Sequence, residues 1–467
     1  MRFSALVGDR RFYRRVLTVA FPIMIQNGVT TLVNLLDNVM VGRLGTEAMS
    51  GVSIVNQFVF VFNLLIFGAV SAAGIFTAQF HGSGDVEGVK YSLRFKLILN
   101  TLAALLSVSV FALFSEELIR LFLHTGSAEI DPVATLSYGK QYLFAMLLGL
   151  IPYAISQACA STLRETEVSV PPMVASVIAV FTNLVLNYLL IFGKLGLPAL
   201  GVVGAAVATV ISRFAELLFL LIWMRTHRDR CPYTVGAFRS LHIPKALFLG
   251  IAVKGLPLMM NELFWSLAIT LRNQSYSTRG LDVVAAQNIL ITLFNFVSVV
   301  YMAVGASISI LVGNELGAGK VEEAKKTASK MIAFASAFGL LLGGIMIAVS
   351  RLFPLLYDTT DSVRDLAAYM IVAVAVAMPF SACAHASYFT IRTGGRVFAT
   401  MLLDSVYMWT VAAPMAFLLA RYTGLSIHAL FAICQSAEVI KAVFSLILLK
   451  RVAWARRLVG DGEAKMA

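Results

Sequence analysis

Charge is what this chain lacks most. Asp, Glu, Lys and Arg make up 13% of its 467 residues, against about 25% in a soluble globular protein. With 59% hydrophobic residues and a mean hydropathy of +0.84, that scarcity excludes a water-soluble enzyme of ordinary composition. Cysteine is sparse as well. Cys159, Cys231, Cys383 and Cys434 lie in or beside apolar runs with no CxxC spacing, so neither a disulfide framework nor a zinc site is expected. No GxxxxGK run followed by Ser or Thr is present, which excludes a P-loop ATP pump. The six histidines form no HExxH, and no cluster of His or paired acids sits at one membrane depth, as an intramembrane enzyme would need. No cofactor is expected. The net charge of +12 is spread over segment ends rather than gathered in one basic stripe, so nucleic acid is not an expected partner.

Long apolar runs are what the chain has in quantity. One bilayer crossing takes about 20 apolar residues, and runs bounded by charge, glycine or proline fall at 16–41, 50–79, 97–114, 133–158, 170–192, 201–224, 246–271, 283–313, 331–350, 365–391, 397–420 and 425–449. Backbone polar groups in hydrocarbon must be satisfied within their own segment, so each run is a helix. The expected fold class is all-α integral membrane, with twelve spans, and the first span is expected to stay in the protein because it outlasts a signal-peptide core. If the N-terminus is cytoplasmic, 25 of the 37 Lys and Arg fall in inside segments and 8 in outside ones. The positive-inside rule therefore places both termini in the cytoplasm. The setting expected is a bacterial cytoplasmic membrane, the partners the lipid bilayer and a small-molecule substrate, and the state a monomer.

Self-comparison shows a duplication. Ala20-Phe21-Pro22-Ile23-Met24 matches Gly255-Leu256-Pro257-Leu258-Met259 at an offset of 235, and Asn38 with Asn273 and Gly45 with Gly280 keep that offset. Farther on it drops to 228, pairing Arg164 with Arg392 and Gly196 with Gly424. Each half holds six spans, so the halves enter from the same side as parallel repeats, an arrangement of transporters with a midplane site. The expected organisation is a basic N-terminus (1–15), a first lobe (16–224), a cytoplasmic linker (225–245), a second lobe (246–449) and a cytoplasmic tail (450–467).

Pro22, the run from Asn34 to Gly45, the loop Gly82-Ser83-Gly84-Asp85, the run from Asn183 to Gly193 and Gly201-Val202-Val203-Gly204-Ala205-Ala206 together resemble the multidrug and toxic compound extrusion (MATE) family of cation-coupled exporters. The resemblance covers about residues 16–455. It implies two six-helix bundles forming a V-shaped cavity, and drug export by antiport with Na+ or H+. The family's coupling acid on the first helix falls on Asp37. Where some relatives carry a second acid on the fifth helix, this chain has Asn183 and Asn187. Asp37, Asn183 and Asn187 are thus the candidate cation-coupling residues, and Na+ at Asp37 the one metal entertained.

Ionisable residues inside spans are functional candidates because their burial is costly. Glu262 on the seventh span, with Asn261 beside it and Trp265 three positions on, suits a cationic, partly apolar substrate through ion pairing and ring-face attraction. Gln287 and Asp404 join them as substrate-binding candidates. The 235 offset sets Arg272 against Asp37, so the halves differ in sign there. Arg213 with Glu216, and Glu438 with Lys441, are three apart and expected to pair along their helices, while Lys140 is expected to reach out of the membrane. The alternative activity is flipping of lipid-linked sugars, which a strongly basic central cavity or extra helices would favour.

Overall fold

The computed structural model describes residues 7–123, 131–237 and 239–459. Residues 1–6 of the expected basic N-terminus and 460–467 of the expected tail lie outside these.

Among the described residues, twelve helices are long and apolar enough to cross a membrane: α1 (Arg10–Gly42), α2 (Thr46–Ser83), α3 (Val86–Leu113), α4 (Pro132–Glu165), α5 (Val170–Phe192), α6 (Gly201–Thr226), α7 (Lys245–Ser277), α8 (Leu281–Gly317), α9 (Val321–Val349), α10 (Asp361–Thr393), α11 (Val397–Tyr422) and α12 (Ile427–Arg451). The described residues contain no strand. Several helices outrun the apolar runs that announce them. The third span, expected from residue 97, begins at Val86, and the ninth, expected from 331, begins at Val321. An apolar run stops at the first charge, whereas a helix continues until its end is capped. Asp85 supplies such a cap for α3, accepting from the Gly88 amide at 2.9 Å, and Asp131, followed by Pro132 at the first helical position, does the same for α4.

Helix ends repeat the sequence offset. α1 and α7 begin 235 residues apart and end 235 apart, and α6 and α12 end 225 apart. Pro22 and Pro257 interrupt α1 and α7 at the same place. The repeat is broken in α11, where Leu402–Val406 and Met408–Ala412 run as π-helix while α5 is regular. The wider turns change the angular register of Asp404 and of the residues after it.

The described residues pack into two units. One holds the residues up to Met24, Ala78–Gly84 and those from Ala252 onward; the other holds Ile25–Thr77 and Asp85–Ile251. The division follows the halves of the sequence except at the ends of α1, α2 and α7. In the first unit Val16, Val19 and Ile23 of α1 join a core with Ile308, Leu311, Met331 and Leu403. There Gly82 of α2 lies against the Asn314 backbone of α8, and Gly317 of α8 lies against the Gln79 backbone of α2. Both pairs are 235 apart, so this crossing is symmetric, and a Cβ at either glycine would collide with backbone.

In the second unit the segment after α6 is fastened to α3. The Arg94 guanidinium donates to the carbonyls of Gly236, Ala237 and His242 at 2.9–3.0 Å, and Tyr233 buries its hydroxyl beside Thr166 at 3.3 Å. Burial pushes the Tyr233 hydroxyl and the Cys231 thiol up from their ordinary values, so both stay protonated at neutral pH.

Candidate functional site

In the second unit, Asp37 sits half-buried in the last third of α1. α5 presents Asn183 and Asn187, one turn apart and both buried. Asn187 donates to Asp37 Oδ1. In the amide orientation that satisfies its neighbours, Asn183 also donates to Asp37 Oδ1 at 2.9 Å while its oxygen accepts from Thr209 Oγ1 of α6 at 3.1 Å. The carboxylate is therefore held by carboxamides, with no ion pair to any described residue. The Asn187 carbonyl oxygen beside it is buried without a partner. One carboxylate and an adjacent free amide oxygen form a hard oxygen donor set, of the kind that takes H+ or a small cation.

Nearer the middle of α1 a separate polar chain ties four helices of the same unit. Arg164 donates to Gln26 at 3.1 Å, Gln26 to Ser176 at 2.9 Å, and Ser176 to Glu216 at 3.2 Å. Arg213 closes it on Glu216 at 3.5 Å, as the i,i+3 spacing predicts, and its guanidinium lies 4.5 Å from the Tyr153 ring centre.

The first unit holds a corresponding chain. Arg392 donates to the Tyr388 hydroxyl at 3.2 Å and lies 3.6 Å from Glu262. Tyr388 donates to Glu262 at 3.2 Å. Asn261 donates to Tyr388 at 3.3 Å and to Asp404 at 3.1 Å, while its oxygen accepts from the Ser405 hydroxyl at 2.6 Å. Lys441 then pairs with Asp404 at 3.0 Å. Glu262 and Asp404 thus each meet a base within the protein. Two further members of the expected substrate group stand apart from this chain. Trp265 packs against Ala268, Tyr407, Met408 and Ala412, and Gln287 is buried on α8.

Two expectations about pairing are corrected. Lys441 pairs with Asp404 of α11 rather than along its own helix with Glu438, which instead accepts from Ser381 at 3.0 Å. A carboxylate presented by a neighbouring helix in a buried setting outweighs an i,i+3 contact of a few tenths of a kcal/mol. Lys140 does not simply reach outward but pairs with Glu116 at 3.0 Å, in the short helix Ser115–Arg120 that follows α3.

A model of the MatE family matches the chain twice, over residues 22–189 and 257–418. The two matches start 235 residues apart, at Pro22 and Pro257. The chain belongs to the MATE family of multidrug efflux transporters. It is similar to the multidrug resistance protein NorM of Vibrio cholerae, 26% identical with 97% of each chain covered. It is likewise similar to the probable multidrug resistance protein NorM of Thermotoga maritima, 22% identical with 96% of this chain and 94% of that one covered. Among solved structures, a mutant of the Vibrio cholerae MATE transporter VcmN superposes with a TM-score of 0.84 at 17% identity, covering 94% of this chain and 97% of that one. A Pyrococcus furiosus transporter whose binding pocket is described as of reverse polarity gives 0.82 at 19% identity, with 96% of each covered. At these identities the structural likeness shows the fold.

In this MATE protein the structure brings Asp37, Asn183 and Asn187 together, and Asn261, Glu262 and Asp404 together. Gln26, Ser176, Tyr388, Ser405 and the Lys441 link to Asp404 were missed by sequence reasoning. For Gln26, Ser176 and Lys441 the signal that finds them is the repeat itself; Tyr388 and Ser405 face Ala160 and Val177 and have no such signal. Gln26 and Asn261 are 235 apart, Ser176 and Asp404 are 228 apart, and Glu216 and Lys441 are 225 apart. Polar residues recurring at the running offset mark both chains.

Proposed function

We propose that this MATE transporter exports cationic or amphipathic organic compounds by antiport with Na+ or H+, and that coupling resides at Asp37 with Asn183 and Asn187. The observation that carries the reading is a carboxylate inside a span, met by two amides and by no base among the described residues. Loading it with H+ or Na+ neutralises a charge that is costly at that depth. Pro22, fifteen residues earlier on α1, removes a backbone hydrogen bond from that helix, which gives it a place to change shape when the ion arrives. Glu262 and Asp404, being paired with Arg392 and Lys441, serve as a neutral internal scaffold beside Asn261, while Trp265 and Gln287 contribute apolar and polar surface for the substrate. The lobes are residues 16–224 and 246–449, with the linker 225–245 and both termini in the cytoplasm of a bacterial cell membrane, and the unit of transport is a monomer.

Efflux of a fluorescent organic cation from proteoliposomes tests this, with an imposed Na+ gradient and, separately, a pH gradient. Gradient-driven efflux in the wild type that is lost in Asp37→Asn supports the reading and names the ion. Undiminished gradient-driven efflux in Asp37→Asn overturns the coupling site, and no efflux from folded wild-type protein overturns the substrate class.

A further inference from the structure

The chain does not leave the protein where α12 ends at Arg451. Residues 452–459 continue without regular structure, yet Trp454 and Val459 are 7% and 4% exposed. They run over the turn between α10 and α11. A Cβ at Gly394 would stand 1.7 Å from the Trp454 carbonyl oxygen, and one at Gly395, whose φ of +70° already favours glycine, 2.8 Å from the Leu458 side chain. Arg396 Nε donates to the Ala453 carbonyl at 3.1 Å. Irregular chain buried this closely is a docked segment.

Its hold on α2 passes through one side chain. Gln79, fully buried, donates to the Arg456 carbonyl at 3.3 Å and to the Thr393 carbonyl at the end of α10 at 3.2 Å, and its oxygen accepts from the Leu458 amide at 2.6 Å. A single neutral amide thus joins α2, α10 and the terminal segment. α2 is continuous from Thr46 to Ser83, but its residues up to Thr77 pack in the other unit, so Gln79 stands just past the point where the helix changes unit. A helix shared in this way cannot follow both units when one moves, and what fastens its end decides which it follows. The segment after α6 gives the contrast. There Arg94 holds three backbone carbonyls within one unit, by charge-assisted bonds roughly twice as strong as neutral ones. At the offset of 235 Arg94 becomes Ser329, so the second half lacks that clamp and relies on the weaker amide of Gln79.

We propose that residues 452–459 are a latch: docked on Gln79 they hold the end of α2 beside α10, and undocking frees that end once in each transport cycle. The proposal does not depend on which ion drives transport or on the Asp37 site.

Two measurements test it. Amide hydrogen exchange of the purified full chain reads the latch without any substrate. Gln79→Leu, which nearly keeps the volume and loses all three bonds, speeds exchange about tenfold both at residues 78–84 and at 453–459, while residues 170–192 exchange as in the wild type. The second measurement rests on the efflux reading above. In a background with the four native cysteines replaced by alanine and efflux retained, Gln79→Cys is combined with Leu458→Cys and the pair is joined by a short reducible thiosulfonate cross-linker. Efflux falls about tenfold or more on cross-linking and returns on reduction, because a latch that cannot open stops the cycle, whereas a permanent strap is indifferent to the bond. Exchange at 78–84 unchanged in Gln79→Leu, or efflux equal in the cross-linked and reduced protein, overturns the proposal. No efflux from the wild type overturns the reading of function alone, and the exchange result then decides the latch.

Discussion

The two halves of the chain build one polar framework with opposite charges. Gln26, Arg164 and Ser176 in the first half occupy the places of Asn261, Arg392 and Asp404 in the second, whereas Asp37, Arg213 and Glu216 face Arg272, Glu438 and Lys441. Three of the six positions have changed sign; the first-half six sum to zero, and the second-half six carry one excess positive charge that Glu262 offsets. Duplication preserved where polar side chains sit, because that is set by helix register and packing. It did not preserve their charge, because a buried group needs an opposite partner rather than a particular sign. The difference lies in what is left over. In the second half, Glu262, Asp404 and Glu438 meet Arg392, Lys441 and Ser381. In the first half, Asp37 meets amides.

The largest effect expected is on the second half. Lys441→Ala leaves Asp404 buried without its base, which costs about 3–5 kcal/mol, seen as a large fall in melting temperature and in monodisperse yield on fluorescence-detected gel filtration. Asp404→Asn combined with Lys441→Met restores most of that loss. Equal losses in the single and double variants would show that the pair is not what holds these helices.

Next in size is Asp37→Asn. Gradient-driven efflux falls about tenfold or more, equivalent to at least about 1.4 kcal/mol of lost coupling, while the melting temperature stays close to that of the wild type because no ion pair is broken. A large loss of stability would place Asp37 among the structural charges, as in the other half.

The crossing of α2 and α8 supplies a symmetric control. Gly82→Ala and Gly317→Ala each push a Cβ into opposing backbone and destabilise by about 1–3 kcal/mol, to similar extents, measured by thermal unfolding in detergent. Unequal effects would mean that the two sides of the crossing are not equivalent.

The smallest effect expected is that of Asn187→Ala. It removes one donor from Asp37 and the free amide oxygen beside it, a change of about 1.5 kcal/mol. The half-saturating concentration of the coupling ion then moves by about tenfold with little change in maximal rate.

The twelve spans, the duplication and the Asp37 group were legible in the sequence because each is carried by local pattern: apolar length, a repeated Pro-containing motif, and an Asn pair one turn apart on a helix. The rest was set by neighbours distant in the chain. The start of α3 at Val86 depends on the Asp85 cap rather than on hydropathy. Lys441 left Glu438 for Asp404, a partner 37 positions away, and the π-helical stretch Leu402–Val406 that presents Asp404 has no composition of its own. Nothing local to Glu262 announces that Arg392 and Tyr388 reach it from α10.

The central claim is that the exchangeable charge lies in the first half and that the second half is neutral within itself. Binding of radiolabelled Na+ to the purified chain, with proton release followed in the same sample, tests it most directly when Asp37→Asn is set beside the double variant Asp404→Asn/Lys441→Met. The claim predicts ion binding or proton exchange lost in Asp37→Asn and kept in the double variant. Exchange kept in Asp37→Asn and lost in the double variant would contradict it.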